Sequence, residues 1–332
     1  MTSGNTIGDV GSSRSRFLVF NSPEDWIAGF GISRPRTTLT IGNFDGVHLG
    51  HQRILQSVAK WAQQTNSPST VLTFFPHPAR VLRPENAPLL LMTLPQRLDA
   101  FHNWGIDAAL VLRFDAKLAK VSAEEFARRF LVDTLRAKAV FVGDNFRFGH
   151  KQEGDVKHLE EFGRRWGFEV QVVPPVVQDG IVVSSTAVRS VVRDGRMDVA
   201  AQLLGRRFTL AGEIQTGTGQ GRKLVVPTLN LATEQECLPK NGVYATETVV
   251  EGKTYHSATN IGVRPTFDGQ RRAIESHLVD FSETLTSGAM EIRFWKRLRD
   301  EQKFSGPEAL REQVLRDIRN AQSYFASLAQ PI

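Results

Sequence analysis

The chain has 332 residues, 41% of them hydrophobic and 23% charged, which is the balance of an ordinary globular protein. Its net charge of +6 suits anionic partners such as nucleotides, but the lysines and arginines are scattered, so we do not expect nucleic acid as a partner. The single cysteine, Cys237, excludes an internal disulfide and a cysteine-rich zinc site, and no apolar run is long enough for a membrane helix. These features predict a cytoplasmic protein that acts on small molecules and not at a membrane.

Residues 1–16 are rich in Ser, Gly, Thr and Asn and predict a disordered tail. From residue 36 to about 174, β-branched runs alternate with amphipathic helical patterns, including a capped helix from Ser122 and another helix near Thr93. The predicted strands are Thr37–Ile41, Thr70–Phe75, Ala108–Phe114, Ala139–Val142 and Glu169–Val173. Such alternation is typical of a doubly wound, Rossmann-like α/β domain, which we place at residues 17–187.

The pattern changes in the second half of the chain. Two short helical patterns predict a helical connector at residues 188–205, and a final helix is predicted from Ser305. Between them, strands are predicted at Phe208–Gln215, Val243–Val250, Thr254–Asn260, Ala273–Phe281 and Met290–Leu298. Several strands without intervening helices indicate an antiparallel β-barrel, so residues 206–332 are expected to form a barrel domain with a C-terminal helix.

The strongest chemical signal is residues 42–51, with the sequence GNFDGVHLGH, directly after the first predicted α/β-domain strand. Glycines permit a tight turn close to a ligand, and the following helix points its free N–H groups and positive dipole end at that turn. His48 and His51 share one helical face and can donate hydrogen bonds to a phosphoryl group, and Gly50 leaves room for a nucleotide. A buried histidine pair that merely caps the turn is the alternative, but this pattern favours function.

The His-x-Gly-His motif resembles that of the nucleotidyltransferase superfamily, and with the preceding Gly-x-Phe-Asp-Gly it resembles bacterial bifunctional riboflavin kinase/FAD synthetases. Residues 74–78, 142–149 and 184–189 agree with that family, and each segment follows a predicted strand, where open α/β sheets gather ligands. The resemblance implies that the phosphate of FMN attacks the α-phosphate of ATP, giving FAD and pyrophosphate.

The same resemblance implies roles for individual residues. His48 and His51 are expected at the α-phosphate, and Arg189 is expected to hold the departing phosphates. Nucleotide or substrate contacts are implied for Gly42, Phe44, Asp45, Gly50, Asn145, Ser184, Ser185 and Thr186. For Ser185 and Thr186, ordinary helix capping is the alternative and is favoured when these two residues are considered alone.

A second candidate site begins with a glycine-rich loop at residues 212–223, which ends in two cations. Backbone amides in such loops cradle phosphates, but glycine loops also form ordinary hairpins, and this loop is not a Walker motif. The residues expected to contact nucleotide are Gly217, Gly219, Gly221, Arg222 and Lys223.

Downstream of this loop, residues 227–230 resemble the Pro-Thr-x-Asn motif of riboflavin kinases. The resemblance implies that Thr228 and Asn230 hold Mg²⁺ and the phosphates of ATP. Residues 274–281 resemble the segment that carries the general base, so Glu275 is expected to take a proton from riboflavin as it attacks the γ-phosphate. An exposed strand carboxylate is the alternative for Glu275.

Two segments depart from the family pattern. Val225-Val226 replaces Gly-Phe, and residues 285–288 replace Asp-Leu-Tyr-Gly, so support for the kinase site is weaker. The alternatives are another His-x-Gly-His nucleotidyltransferase, a class I aminoacyl-tRNA synthetase, or a basic RNA-binding protein that uses residues 294–299. Synthetases pair the histidine motif with a lysine-rich loop, and residues 184–189 contain no lysine. The oligomeric state has no signature in the sequence.

Overall fold

A computed structural model describes residues 17–31, 33–215, 227–266, 269–283 and 285–328. Within these ranges the chain divides into two compact units. One unit holds the residues up to Asn43 with Arg53–Glu85 and Leu98–Val173, and the other holds Phe44–Gln52, Asn86–Arg97 and the residues from Pro174 onward. The turn that carries both histidines therefore belongs to the second unit, while the domain boundaries at 187 and 205 stay predictions.

The first unit is built on a parallel sheet. In the described part of the chain its strands are β1 (Leu18–Phe20), β2 (Thr37–Ile41), β3 (Ser69–Phe75), β4 (Ala108–Arg113), β5 (Ala137–Gly143) and β6 (Glu169–Val173). Their spatial order is β1-β4-β3-β2-β5-β6, and all neighbours run parallel. Every residue of β2 is buried, as expected where helices cover both faces of a sheet. The predicted doubly wound α/β architecture is confirmed.

Six α-helices are described up to residue 173. They are α1 (Pro23–Phe30), α2 (Leu49–Gln64), α3 (Pro78–Leu82), α4 (Leu94–Asn103), α5 (Ala123–Phe126) and α6 (Val156–Trp166). The Ser122 hydroxyl accepts a hydrogen bond from the Glu125 amide at 3.1 Å, which confirms the predicted start of α5. Beyond α5 the chain continues as a π-helix over Ala127–Thr134, a widening that the apolar spacing does not predict.

The second unit contains a closed antiparallel barrel, which confirms the predicted barrel. Its strands are β9 (Phe208–Gln215), β10 (Leu229–Ala232), β11 (Gly242–Val250), β12 (Lys253–Thr266), β13 (Gly269–Leu278) and β14 (Ala289–Arg299), in the order β10-β13-β12-β11-β14-β9. Before the barrel lie a hairpin of β7 (Val177–Gln178) and β8 (Ile181–Val182), then α7 (Ser185–Arg193) and α8 (Met197–Leu204). The final helix, α9 (Pro307–Leu328), begins two residues later than predicted.

Helix α9 packs on the barrel through a buried ion pair and an apolar cluster. Ile318 and Phe325 pack with Ala245 of β11 and with Ala258 of β12. The carboxylate of Asp317, which is 3% exposed, accepts hydrogen bonds from Arg299 Nε at 2.9 Å and Nη2 at 2.7 Å. None of the helices in the described ranges combines the length and hydropathy that spanning a bilayer requires.

The interior of the barrel holds a closed ring of five hydroxyl groups, all fully buried. Thr246 and Thr259 are joined at 2.6 Å, and Thr259 donates to Ser276 at 2.9 Å. Ser276 and Thr248 are joined at 2.8 Å, and Ser257 lies 2.8 Å from both Thr248 and Thr246. The ring ties β11, β12 and β13 together through side chains, because a buried hydroxyl must find a partner inside the protein.

Candidate active sites

In the first unit, β2 and β5 are neighbours at the point where the strand order reverses. Their carboxyl ends lie at the same edge of the sheet because the two strands run parallel. Gly42 follows β2, with its amide donating to Leu72 O at 3.1 Å, and Asn145 is exposed in the loop that follows β5. Open α/β sheets bind ligands in the crevice at such a switch point, so Gly42 and Asn145 lie at an edge suited to a nucleotide.

The turn that follows β2 has an unusual backbone. Phe44, Gly46 and Val47 have φ angles of 52°, 87° and 39°, all in the left-handed region. This region costs non-glycine residues about 1–2 kcal/mol each, and a β-branched residue such as Val47 rarely adopts it. A Cβ added at Gly46 would also lie 2.8 Å from Leu91 Cδ1. The turn therefore persists only because its surroundings hold it in place.

Two side chains that the sequence patterns did not single out hold this turn. Arg206 donates from Nη2 to Gly46 O at 2.9 Å and from Nη1 to Val47 O at 3.1 Å. Gln52 Nε2 donates to Val47 O at 2.8 Å and to Leu204 O at 2.6 Å. Both residues thus give buried carbonyl groups their hydrogen-bond donors, and they fix the histidines that follow.

His48 and His51 lie face to face, as their spacing predicts. Their ring centroids are 3.6 Å apart and the planes differ by 16°, and the ring of Phe44 lies 5.0 Å from that of His51. The His51 backbone amide donates to His48 Nδ1 at 3.3 Å. Because Nδ1 of His48 accepts a hydrogen bond, the proton of the neutral imidazole belongs on Nε2, which can then donate to a ligand.

Burial keeps both imidazoles uncharged at neutral pH. It lowers the pKa of His48 from its ordinary 6.5 to about 4, a backbone hydrogen bond opposes this shift, and the positive charges of Arg189 and Arg206 add to it. Burial also lowers the pKa of His51 well below its usual value, helped by the charges of His48 and Arg189. His48 is buried, and His51 is half-buried as a whole residue although its Nδ1 atom is buried.

Gly50 makes room for the first histidine, and the space for a nucleotide expected at this residue stays a prediction. A Cβ at this position would lie 3.2 Å from His48 Cε1 and 3.7 Å from Val183 O. The first of these separations is tighter than ordinary van der Waals contact, so a larger residue at position 50 would displace the imidazole. The glycine of the motif therefore serves the packing of His48.

Asp45 lies in the protein interior, where only 2% of its surface is exposed. Its carboxylate accepts hydrogen bonds from the amides of Leu91 at 3.0 Å and Met92 at 3.1 Å, and from Arg189 Nη2 at 2.7 Å. Arg189 also donates from Nε to Leu89 O at 2.9 Å, which leaves Nη1 without a partner among the described residues. The Asp45 carboxylate therefore anchors Arg189, while its expected contact with substrate stays a prediction.

The serines at the start of α7 also make structural hydrogen bonds, while their expected contacts with nucleotide stay predictions. Ser184 caps the helix, with its hydroxyl accepting from the Ala187 amide at 3.2 Å. The Ser185 hydroxyl donates to the backbone carbonyl of Asp45 at 2.8 Å and so joins α7 to the histidine turn. Thr186 is exposed in the first turn, where its hydroxyl can reach a ligand.

The candidate residues of the kinase site lie side by side on adjacent strands of the barrel. Asn230 of β10 lies directly opposite Glu275 of β13, and both side chains are half-buried. Thr228 is exposed two residues before Asn230, just ahead of β10, and residues at this spacing share one face of an extended chain. The predicted loop contacts Gly217, Gly219, Gly221, Arg222 and Lys223, and the Val225-Val226 departure, lie outside the described residues.

This face of the barrel offers oxygen donors of the kind that Mg²⁺ requires. A hydroxyl and an amide oxygen from Thr228 and Asn230 are hard oxygen donors, which suit a cation that keeps several waters and binds phosphate oxygens. The described residues contain no cluster of three His, Cys, Asp or Glu side chains that could hold a metal by themselves. The residues present therefore fit Mg²⁺ that arrives with a nucleotide.

The two halves of the chain match the models of two protein families. Residues 32–187 match the family model of FAD synthetase, and residues 204–325 match the family model of riboflavin kinase. The bifunctional riboflavin kinase/FMN adenylyltransferase of Escherichia coli (strain K12) is 36% identical over 288 residues, covering 86% of this chain and 92% of its own. The chain belongs to the bifunctional riboflavin kinase/FMN adenylyltransferase family.

A second member agrees with this assignment, and one solved structure has the same fold. The Pseudomonas fluorescens member of the family is 39% identical over 291 residues, covering 87% of this chain and 93% of its own. A crystal structure described as a macrolide-efflux protein from Streptococcus pneumoniae is 26% identical, with a TM-score of 0.79. It covers 92% of this chain and 99% of its own, so the two proteins share the same fold over almost their whole length.

Proposed function

We propose that this protein phosphorylates riboflavin with ATP to give FMN, and then transfers the adenylyl group of a second ATP to FMN to give FAD and pyrophosphate. The observation that carries the first activity is the register pair of Asn230 and Glu275 in the barrel. The observation that carries the second activity is the stacked, neutral pair of His48 and His51 beside Arg189.

In adenylyl transfer, an oxygen of the FMN phosphate attacks the α-phosphorus of ATP, and the bond to the bridging oxygen of pyrophosphate breaks. The phosphate is already ionised at neutral pH, so this step needs no general base. It needs donors for the charge that develops on the α-phosphate oxygens, and Nε2–H of His48 is such a donor. Arg189, held by Asp45 and Leu89, supplies a fixed positive charge for the departing pyrophosphate.

Riboflavin phosphorylation has a different requirement, because the attacking group is a hydroxyl that must lose its proton. The Glu275 carboxylate takes this proton as the ribityl oxygen attacks the γ-phosphorus, and ADP leaves. Thr228 and Asn230 would hold Mg²⁺ together with the phosphates of ATP. When bound, the cation neutralises part of the phosphate charge.

The test is product analysis of the purified protein and two single variants, supplied either with riboflavin, ATP and Mg²⁺ or with FMN, ATP and Mg²⁺. We expect His48→Ala to slow FAD formation by about 10²-fold or more, as loss of a donor to a developing charge does, while FMN formation continues. Glu275→Gln should slow FMN formation by about 10²–10⁴-fold and leave FAD formation from supplied FMN unchanged. Loss of both activities in either folded variant would contradict the assignment of two separate sites.

A further inference from the structure

Residues 89–92, the bridging segment, lie just before α4 and belong to neither a helix nor a strand. The backbone groups of such a segment have no ladder of their own, so they need hydrogen-bond partners from other parts of the chain. In this protein the partners come from two places, the surroundings of the histidine turn and the connection that follows β10. All of these residues belong to the second unit.

The first set of partners is Asp45 and Arg189. The Asp45 carboxylate accepts hydrogen bonds from the amides of Leu91 at 3.0 Å and Met92 at 3.1 Å. The Arg189 guanidinium donates from Nε to the carbonyl of Leu89 at 2.9 Å and from Nη2 to Asp45 at 2.7 Å. The bridging segment therefore orients this guanidinium twice, once directly and once through the carboxylate.

The second set of partners lies in the connection between β10 and β11. The Leu90 amide donates to Glu236 Oε2 at 2.9 Å, and the Leu90 carbonyl accepts from the amide of Cys237 at 3.0 Å. Because both backbone groups of Leu90 are bonded to this connection, the middle of the bridging segment has a fixed position beside the barrel.

Gln235, in the same connection, makes the most complete contact. It is only 4% exposed, and its Nε2 donates to the carbonyl of Leu91 at 2.8 Å and to that of Thr209 at 3.0 Å. Its Oε1 accepts from the amide of Ala211 at 2.8 Å and from Gln96 Nε2 at 2.8 Å. An amide side chain offers two donors and two acceptor positions, so every one of them is used and only one orientation fits. Gln235 therefore joins β9 firmly to Leu91.

We infer that Gln235, together with Glu236, is a positioning residue for adenylyl transfer that acts through the bridging segment on Arg189. Three hydrogen bonds in sequence join the Gln235 amide to the guanidinium, through Leu91 and then through the Asp45 carboxylate. This inference rests on the proposed adenylyl transfer and on Arg189 as the group that receives the departing pyrophosphate. Misplacing a positioned group by about 1 Å costs about 10²-fold in rate.

The test compares Gln235→Met with the wild-type protein. Methionine fills nearly the same volume, but it cannot replace the hydrogen bonds that the amide makes with Leu91 and β9. The kcat for FAD formation from FMN and ATP should therefore fall by about 10–10²-fold. FMN formation from riboflavin, measured on the same sample, should stay at the wild-type rate and reports that the barrel is folded.

The reverse reaction gives a readout that a purely structural role would not change. With FAD and pyrophosphate as substrates, Gln235→Met should raise the KM for pyrophosphate about tenfold, because a misplaced Arg189 loses a charged hydrogen bond to this anion. The KM for FAD should stay at the wild-type value. Loss of folded protein, by contrast, would lower the rate and leave both KM values unchanged.

Variants of Glu236 decide the question if Gln235→Met loses both activities because it does not fold. Glu236→Ala removes the acceptor of the Leu90 amide, so it should lower the kcat for FAD formation about tenfold. Glu236→Gln should restore the rate, since an amide oxygen can still accept this bond.

Ser257→Ala is a matched control. It removes a fully buried hydroxyl from β12, which β13 separates from β10 in the barrel. It should lower the stability of the protein without changing the KM for pyrophosphate.

The possible failures can be told apart. If folded Gln235→Met keeps the wild-type KM for pyrophosphate, or if Glu236→Ala keeps the wild-type kcat, the positioning role is wrong while FAD formation stands. An equal loss in Glu236→Gln and Glu236→Ala would also refute it, because the bond to Leu90 would not be the cause. If Arg189→Ala keeps the wild-type KM for pyrophosphate, the proposed role of this arginine is wrong, and the inference about Gln235 falls with it.

Discussion

Replacing Asp45 with asparagine tests whether a buried carboxylate controls adenylyl transfer through the arginine that it holds. Asp45 and Arg189 form an ion pair at 2.7 Å in which the two side chains are only 3% and 15% exposed. Breaking a buried pair by removing one charge costs about 3–5 kcal/mol. We expect a loss near the lower end, about 3 kcal/mol, because the amide oxygen of asparagine can still accept one of the hydrogen bonds from Leu91 and Met92.

The effect of Asp45→Asn on FAD formation can be measured separately from its effect on stability. Without the carboxylate, the Arg189 guanidinium loses its fixed orientation, so kcat/KM for FAD formation from FMN should fall by about 10²-fold. Riboflavin phosphorylation should be unchanged, since it depends on the barrel. Stability is measured by urea unfolding, and both activities are measured by chromatography at a temperature where the variant stays folded.

Asp317→Asn is a matched control. Asp317 is as deeply buried as Asp45 and also accepts from an arginine, Arg299, so its replacement should lower the free energy of unfolding by a similar amount. It should not slow FAD formation. If Asp45→Asn destabilises the protein but keeps the wild-type rate of FAD formation, Asp45 does not position Arg189 for catalysis.

Two further predictions concern the histidine turn. The pKa of His48 is about 4 in the folded protein and 6.5 in the unfolded chain, so only the unfolded chain binds a proton between these values. His48 should therefore lower the free energy of unfolding by up to about 3 kcal/mol as the pH is lowered from 6.5 to 4. The variant His48→Gln should show a weaker dependence of the free energy of unfolding on pH. An equal dependence in the variant would contradict the lowered pKa of His48. Gly46→Ala should lower the free energy of unfolding by about 1–3 kcal/mol through its left-handed φ and its approach to Leu91. Gly180 has a φ of 78° and open space around it, so Gly180→Ala should lose only the stability that the left-handed backbone costs. If Gly46→Ala and Gly180→Ala lose equal stability in thermal unfolding, the contact with Leu91 does not contribute.

The sequence predicts the parts of the fold that depend on local periodicity. Runs of buried residues such as Thr37–Ile41 identify parallel strands, and a change of period near residue 206 identifies the barrel. The shared face of His48 and His51 also follows from their spacing, and the stacked rings confirm it. Local spacing works here because each of these features is decided within a few residues of chain.

Features that depend on distant residues were missed. Strand β10 has only four residues, too few for alternation to be recognised, and its pairing with β13 joins Asn230 to Glu275 from well-separated parts of the chain. The anchoring role of Asp45 depends on amides near residue 91, and the support from Arg206 depends on carbonyl groups about 160 residues earlier. Local sequence patterns do not predict contacts between such distant residues. The left-handed φ of Val47 is strained, so this turn requires hydrogen bonds from elsewhere in the chain.

The hydroxyl ring inside the barrel has a consequence for how this sequence can change over time. Each of the five hydroxyl groups has two neighbours in the ring, so replacing Ser276 alone by alanine would remove one hydrogen-bond partner from both Thr259 and Thr248, at a cost of up to about 1–3 kcal/mol. Substitution of several members together by apolar residues of matching shape could restore a dry core. The barrel interior is therefore expected to lose less stability when several of these residues are replaced together than when one is replaced alone. The first single substitution should be the most destabilising.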